Sequence, residues 1–404
     1  MTVGRPGFNA PLFSNPRRPV LVLWAIMAAV NLTAGVVLAA RPERASDLET
    51  IERFGREWLL AGSNIYAPTD SGAVYPPYAV VALSPLALFP AKWAVPGWTV
   101  LNLALAVVAP FLAVRVVRPA ATLSDAALPM LMFLCWGGVR TLLQFSLLTL
   151  TVSLLAMVLA DKRPLWSGVC FGLAMMKPQM AIPALAWALF TRRLRPIGVA
   201  AALTTAGFAL FCLRARAEPV SVVVRYTEIL KLLYLGDARV VGLANVRQLL
   251  ALAVSSTPKV DALSIAIAIA MLLAIGILGF REGKRRDAVM YSAPPLVGIW
   301  SLLTFYHLTY GFIVLLPTAM ALLFANELQT ARLRKTTLCL LQFGLMVDLP
   351  GVWRRIGPLL TVPDVVNAAV PQFDRVLMLA IFGSVATLYA RTERARLEQA
   401  VTRG

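Results

Sequence analysis

The chain has 404 residues, 59% apolar and only 14% charged, with a mean hydropathy of +0.74. Soluble domains lie nearer roughly 45–50% apolar and about 25% charged, so composition excludes a soluble enzyme, a disordered chain and a disulfide scaffold. Apolar stretches of about 18–20 residues recur along the chain and identify a polytopic membrane protein. The net charge of +18 fits basic cytoplasmic loops rather than a nucleic-acid partner. Cys135, Cys170, Cys212 and Cys339 all lie in apolar runs. They lack metal or disulfide spacing and read as packing residues.

In chain order, the first predicted span covers 19–40. It follows Arg5, Arg17 and Arg18, and at about 22 residues it is too long for a signal h-region, so it reads as a retained anchor. Further spans are predicted near 96–114, 124–137, 143–160, 165–176, 179–191, 196–213, 262–280, 288–303, 308–324, 336–350 and 375–391. The expected fold is an all-α polytopic transmembrane bundle of about twelve helices with both termini cytoplasmic. It divides into a cytoplasmic segment 1–18, one membrane domain 19–391 and a cytoplasmic tail 392–404. Tyr78–Pro90 is apolar but short and proline-flanked, and is predicted to be re-entrant at the outer face. With each charge assigned to its nearer side, the inside carries 21 Lys/Arg against 7 Asp/Glu and the outside 17 against 13. The dense clusters at Arg192–Arg195, Arg281–Arg286 and Arg332–Lys335 all fall inside, as the positive-inside rule requires.

Three outer loops follow, at 41–95, 214–261 and 351–374. Each contains short amphipathic runs that predict helices along the membrane surface, such as Leu48-Glu49-Thr50-Ile51-Glu52-Arg53-Phe54. The first loop is acidic, with six Asp/Glu against four Arg between Arg41 and Pro77. Asp47 lies there, a few residues beyond the first span. A carboxylate at that depth can act as a general base on a hydroxyl at the membrane edge, or it can simply cap the following helix. Gly62-Ser63-Asn64-Ile65-Tyr66 and Val74-Tyr75-Pro76-Pro77-Tyr78 read as turn and extended entry.

Arg140 and Gln144 flank the next predicted outer turn. Lys177, in Met176-Lys177-Pro178-Gln179, sits between two apolar runs whose far ends are basic, which puts it at another outer turn. An ammonium there either snorkels to the interface or meets an anion. Asn245 and Arg247 lie in the large loop. His307, the one histidine, sits among aromatics at a hairpin tip, where imidazole can donate to a phosphate. These polar groups share one side of the membrane, which suits an anionic lipid-linked substrate better than a central transport path. Walker A, G-x-G-x-x-G, H-E-x-x-H and nucleophile-elbow patterns are absent.

The order of these pieces resembles the GT-C superfamily of polytopic glycosyltransferases, and within it glycosyltransferase family 87, the bacterial mannosyltransferase-like membrane family. The family's Asp after the first helix, Gly-x-x-Tyr turn and Tyr-Pro-Pro correspond to Asp47, Gly62–Tyr66 and Tyr75-Pro76-Pro77. Its Lys-Pro pair matches Lys177-Pro178-Gln179. A Gly-Gln-x-Asn-like turn is reduced to Gln144-Phe145-Ser146, the loop Asn motif is approximated by Asn245 to Gln248, and a Ser/Trp hairpin ending in His by Trp300-Ser301 and His307. The likeness spans 20–325. It implies inverting transfer of a sugar, mannose by family, from a polyprenyl-phosphate donor to a glycolipid or glycan acceptor at the outer face of the bacterial cytoplasmic membrane.

The same likeness makes Asp47 the catalytic base; apart from the likeness, Glu49 and Glu43 of the same loop are the next candidates. His307, Lys177 and Arg140 bind the donor phosphate, and Asn64, Tyr66, Tyr75, Gln144, Gln179 and Asn245 contact substrates. No cofactor or obligatory metal is implied. The alternatives are a flippase or transporter of a lipid-linked glycan, which calls for midplane polar residues and internal repeats, and a catalytically degenerate scaffold. The topology is tested with cysteines placed at Ser63 and Ser256. Both should react with a membrane-impermeant reagent in intact spheroplasts, and protection until lysis overturns the assignment.

Overall fold

The computed structural model describes residues 18–41, 47–67, 73–235, 246–254, 256–283, 293–305, 309–324, 331–347 and 370–401. Among these there are sixteen α-helices and no strand. The chain is an all-α membrane protein, as its composition requires.

Helix α1 (Arg18–Ala39) is followed by α2 (Asp47–Gly55), which continues into a π-turn at Arg56–Leu60. Helix α3 (Pro77–Leu83) runs into a 3-10 segment Ser84–Leu88, then α4 (Ala91–Val117) and α5 (Leu123–Leu134). The central helices are α6 (Ser146–Leu159), α7 (Pro164–Ala174), α8 (Pro178–Phe190) and α9 (Leu194–Ala215). Beyond them come α10 (Pro219–Leu235), α11 (Val246–Ala253), α12 (Thr257–Gly283), α13 (Ala293–Thr304), α14 (Leu316–Phe324), α15 (Ala331–Met346) and α16 (Phe373–Val401). Each predicted span therefore overlaps a helix. The last helix runs unbroken to Val401, through most of the predicted tail.

Length separates these helices into two kinds. Four are long and apolar enough to cross a bilayer: Arg18–Ala39, Lys92–Val117, Leu194–Ala215 and Thr257–Ile277. Helices α5 to α8 have 12, 14, 11 and 13 residues. At 1.5 Å per residue they reach about 16–21 Å, short of a hydrocarbon core of about 30 Å. The α7–α8 hairpin, entered at Pro164 and left at Thr191, turns at Met175–Lys177 well short of a full crossing. Pro178 occupies the first position of α8, where its missing N–H costs nothing.

Two apolar cores result. The larger lies among α4 to α8 and α13 to α16 and includes Phe133, Trp136, Phe171, Trp187 and Phe324. The smaller joins the first outer loop to the helix ends: Leu48, Ile51, Phe54, Trp58, Tyr66, Tyr75, Trp98, Phe145, Met176, Phe211, Val222 and Ile229. That shared core gathers the first residues of α6, the end of α7 and the end of α9 on one side. On the opposite side Arg193 binds Asp161 through two N–H groups, at 2.9 and 2.7 Å, joining the α6–α7 and α8–α9 turns. The 77–88 segment packs on α2 and α9 and is too short to cross, consistent with a re-entrant piece. Cys135, Cys170 and Cys212 are buried as packing residues, whereas Cys339 is exposed on α15, contrary to that expectation.

Helices α7 and α9 approach so closely that a Cβ on Gly168 would lie 2.4 Å from the Val199 Cβ and 2.8 Å from the Pro196 carbonyl. Gly168→Ala should therefore lower stability by about 1–3 kcal/mol, read as a lower Tm in detergent. Gly198→Ala, with open space around its Cβ, should leave Tm unchanged or raise it. Equal Tm values for both variants would contradict this packing.

Candidate active site

The site begins with the turn before α8. Lys177 is 6% exposed and its ammonium sits at the N-terminus of α8, the end where a cation is disfavoured by the helix dipole. A buried ammonium without acceptors is costly. The fold supplies three: Lys177 Nζ donates to Asp47 Oδ2 at 2.5 Å, to Gln144 Oε1 at 3.3 Å and to Ser146 Oγ at 3.2 Å. Residues 130, 33 and 31 positions away are thus drawn to one atom.

Asp47 opens α2, where a carboxylate is favoured by the dipole. The Leu48 N–H donates to the Leu143 carbonyl at 3.3 Å, which docks this first turn beside Gln144. Burial of Leu48, Ile51 and Phe54 fixes the face of α2, and the Asp47 side chain stays 19% exposed. The carboxylate therefore meets both the lysine and open space. Among its neighbours, Glu49 is exposed. Glu52 is buried, and desolvation raises its carboxyl above the usual range despite Arg56. Glu43 lies outside the described residues.

The flanking residues act as anchors. Phe145 is fully buried, with its ring 4.5 Å from Trp98 and 6.0 Å from Tyr75, and Met176 is buried beside it. Gln144 and Ser146 bracket one anchor and Lys177 follows the other, so packing aims the polar side chains. The loop roof is equally constrained. Gly62 adopts φ +68° with the Arg214 guanidinium against it, and Arg214 donates to the Leu59 carbonyl at 2.9 Å. Asn64 Oδ1 accepts from the Tyr66 N–H at 3.1 Å, an Asx turn. The buried Tyr66 hydroxyl donates to the Tyr75 carbonyl, which closes the loop between the two motifs.

Gln179 shows why its motif has this form. Its carbonyl would accept from the residue four positions on, but that residue is Pro183, which has no N–H. Ser301 Oγ donates to that carbonyl instead, at 2.5 Å. This bond fastens α13 to the Lys-Pro turn. Arg140 lies on a 3-10 turn (Gly137–Arg140) that packs against residues 309–315. In the large loop Arg247 Nε donates to Asp261 Oδ1 at 2.6 Å, and Gln248 accepts from Arg375. His307 and Asn245 fall outside the described residues.

The geometry thus joins Asp47, Gln144 and Lys177 directly, and ties Gln179 to them through the α8 turn. It makes Asn64, Tyr66 and Tyr75 parts of the loop frame. Ser146 and Ser301 were not selected from sequence as site residues. The i, i+4 spacing of Gln179 and Pro183 was a legible signal that some donor must serve that carbonyl.

Residues 73–305 match glycosyltransferase family 87. The chain belongs to that family. No curated protein and no solved structure matches it. The family 87 stretch contains Tyr75, Arg140, Gln144, Lys177, Gln179 and Asn245. Asp47, Asn64 and Tyr66 precede it and His307 follows it. The ion pair to Lys177 links Asp47 to the part of the chain that defines the family. The chain is a membrane glycosyltransferase.

Removing one partner of a largely buried ion pair strands the other. Lys177→Ala should destabilise by about 2–3 kcal/mol, discounted because Asp47 is partly exposed. Asp47→Asn, which keeps an acceptor for the ammonium, should cost less. A double-mutant cycle read by thermal unfolding checks this, and coupling near zero would show that the contact contributes nothing.

Proposed function

We propose that this enzyme inverts configuration while moving a sugar, mannose by family, from a polyprenyl-phosphate donor to a glycolipid or glycan acceptor. The reaction is placed at the outer face of the bacterial cytoplasmic membrane. The observation that carries the proposal is the Lys177–Asp47 ion pair at a recessed turn of an apolar bundle. A base and a phosphate-binding cation belong side by side in this chemistry.

In the proposed reaction Asp47 takes the proton of the acceptor hydroxyl. The hydroxyl oxygen forms the new bond to the anomeric carbon as the bond from that carbon to the phosphate oxygen breaks. The electron pair passes to the phosphate, which leaves ionised and needs no general acid. It needs positive charge and hydrogen bonds where negative charge collects. Lys177 supplies these by exchanging Asp47 for the donor phosphate, so donor arrival also frees the base. Arg140 and His307 add further donors. Gln144 and Ser146 keep the ammonium in place during the exchange. Asn64, Tyr66 and Tyr75 shape the wall facing the acceptor, and Gln179 and Asn245 contribute polar contacts.

Asp47→Asn, purified in nanodiscs with its Tm and donor binding measured alongside, should remain folded and bind donor but lose about 10²–10⁴ in transfer rate. Wild-type turnover would move the base elsewhere, with Glu49 and Glu43 next to be tested. Loss of donor binding would make Asp47 a positioning residue and overturn the central step.

A further inference from the structure

The end of the bundle opposite Lys177 carries a second feature. A shallow depression lies between the starts of α7 and α9, lined by Arg163, Pro164, Leu165, Trp166 and Arg195. Two arginines share this lining with an apolar pair, and Leu165 is 67% and Trp166 63% exposed. The two adjoining turns hold Lys162, Arg163, Arg192, Arg193 and Arg195 against a single acid, Asp161. That acid is already held by Arg193, whose guanidinium also lies 4.6 Å from the Trp187 ring centroid. Among the described residues no carboxylate forms a salt bridge with Arg163 or Arg195. Both helices also present their N-termini here, whose dipoles favour an anion.

We propose that this depression binds the headgroup of an anionic phospholipid from the leaflet facing away from the Asp47–Lys177 site. The phosphate pairs with Arg163 and Arg195, and the glycerol and upper acyl chain lie on Leu165 and Trp166. Cationic pockets between helices at the basic membrane face suit anionic headgroups, and an exposed Trp suits the interfacial depth. The acyl chain runs outside the helix pair, because Gly168 and Gly172 leave no gap between α7 and Val199 or Leu203 of α9. The bound lipid would brace the base of the hairpin that carries Lys177 at its tip.

The test is native mass spectrometry of the full chain in detergent with phosphatidylglycerol or phosphatidylcholine. The Arg163→Gln/Arg195→Gln variant is compared with Lys162→Gln/Arg192→Gln, which removes equal charge beside the depression. Phosphatidylglycerol retention should fall about 10–30-fold in the first variant and far less in the second, with phosphatidylcholine bound weakly by all. Equal losses in both variants, or equal retention of the two lipids by wild type, overturns the proposal. Photoactivatable phosphatidylglycerol on the wild-type protein gives a readout independent of variant folding. It should label peptides containing residues 163–166 or 195, and labelling only elsewhere also overturns the site.

Discussion

A lysine buried at the turn of a short hairpin dictates much of what surrounds it. Lys177 lies at the positive end of α8 and is 6% exposed, so its charge is opposed by both desolvation and the helix dipole. Within the bundle Gln144 and Ser146 offer only neutral acceptors. The carboxylate comes from outside it, on a loop helix 130 positions away in sequence. To deliver Asp47 the first outer loop must fold inward, and it does so by building its own apolar core on the exposed ends of α6, α7 and α9. The ion pair, the folded loop and the recessed turn are three aspects of one constraint.

That second core explains a division of labour among aromatic and polar residues. Phe145 and Met176 are buried in it and hold their neighbours Gln144, Ser146 and Lys177 at fixed angles. Tyr66 spends its hydroxyl on the Tyr75 carbonyl and its ring on Phe211 and Tyr226, at 5.4 and 6.0 Å. Desolvation raises that hydroxyl well above the usual tyrosine range, which suits a neutral structural donor. Residues that read as binding groups by motif therefore first hold the loop that brings the carboxylate to the lysine.

The sequence reading found the apolar helices because periodicity and hydropathy are local properties. Asp47, Gln144 and Lys177 each stand out from local context, but their contact does not. Nothing in spacing says that a residue at 47 meets one at 177. Of the two possibilities that the sequence leaves for Lys177, snorkelling or an anionic partner, the structure shows an anionic partner, Asp47. Helix length was legible too: the apolar runs at 165–176 and 179–191 are about a dozen residues each, and α7 and α8 have 11 and 13 residues. Pro164 and Pro178 open the two helices, so the turn that carries Lys177 closes after about three helical turns on either side.

Burial and charge together are what fit the proposed site to a lipid-linked phosphate. The hairpin turn and the loop core bury the ammonium, and in such surroundings the effective dielectric is low and each charge contact is strengthened. The same low dielectric makes an idle cation intolerable, so a resting partner is required. In the proposed reaction a carboxylate suits that place, because its displacement by an incoming phosphate would expose a base at the moment when the leaving group is held. Among the described residues three acceptors hold the ammonium, so exchanging Asp47 for a phosphate in the proposed reaction would leave Gln144 and Ser146 in place. The cation thus needs little reorganisation to meet the developing charge, and low reorganisation is the source of electrostatic catalysis.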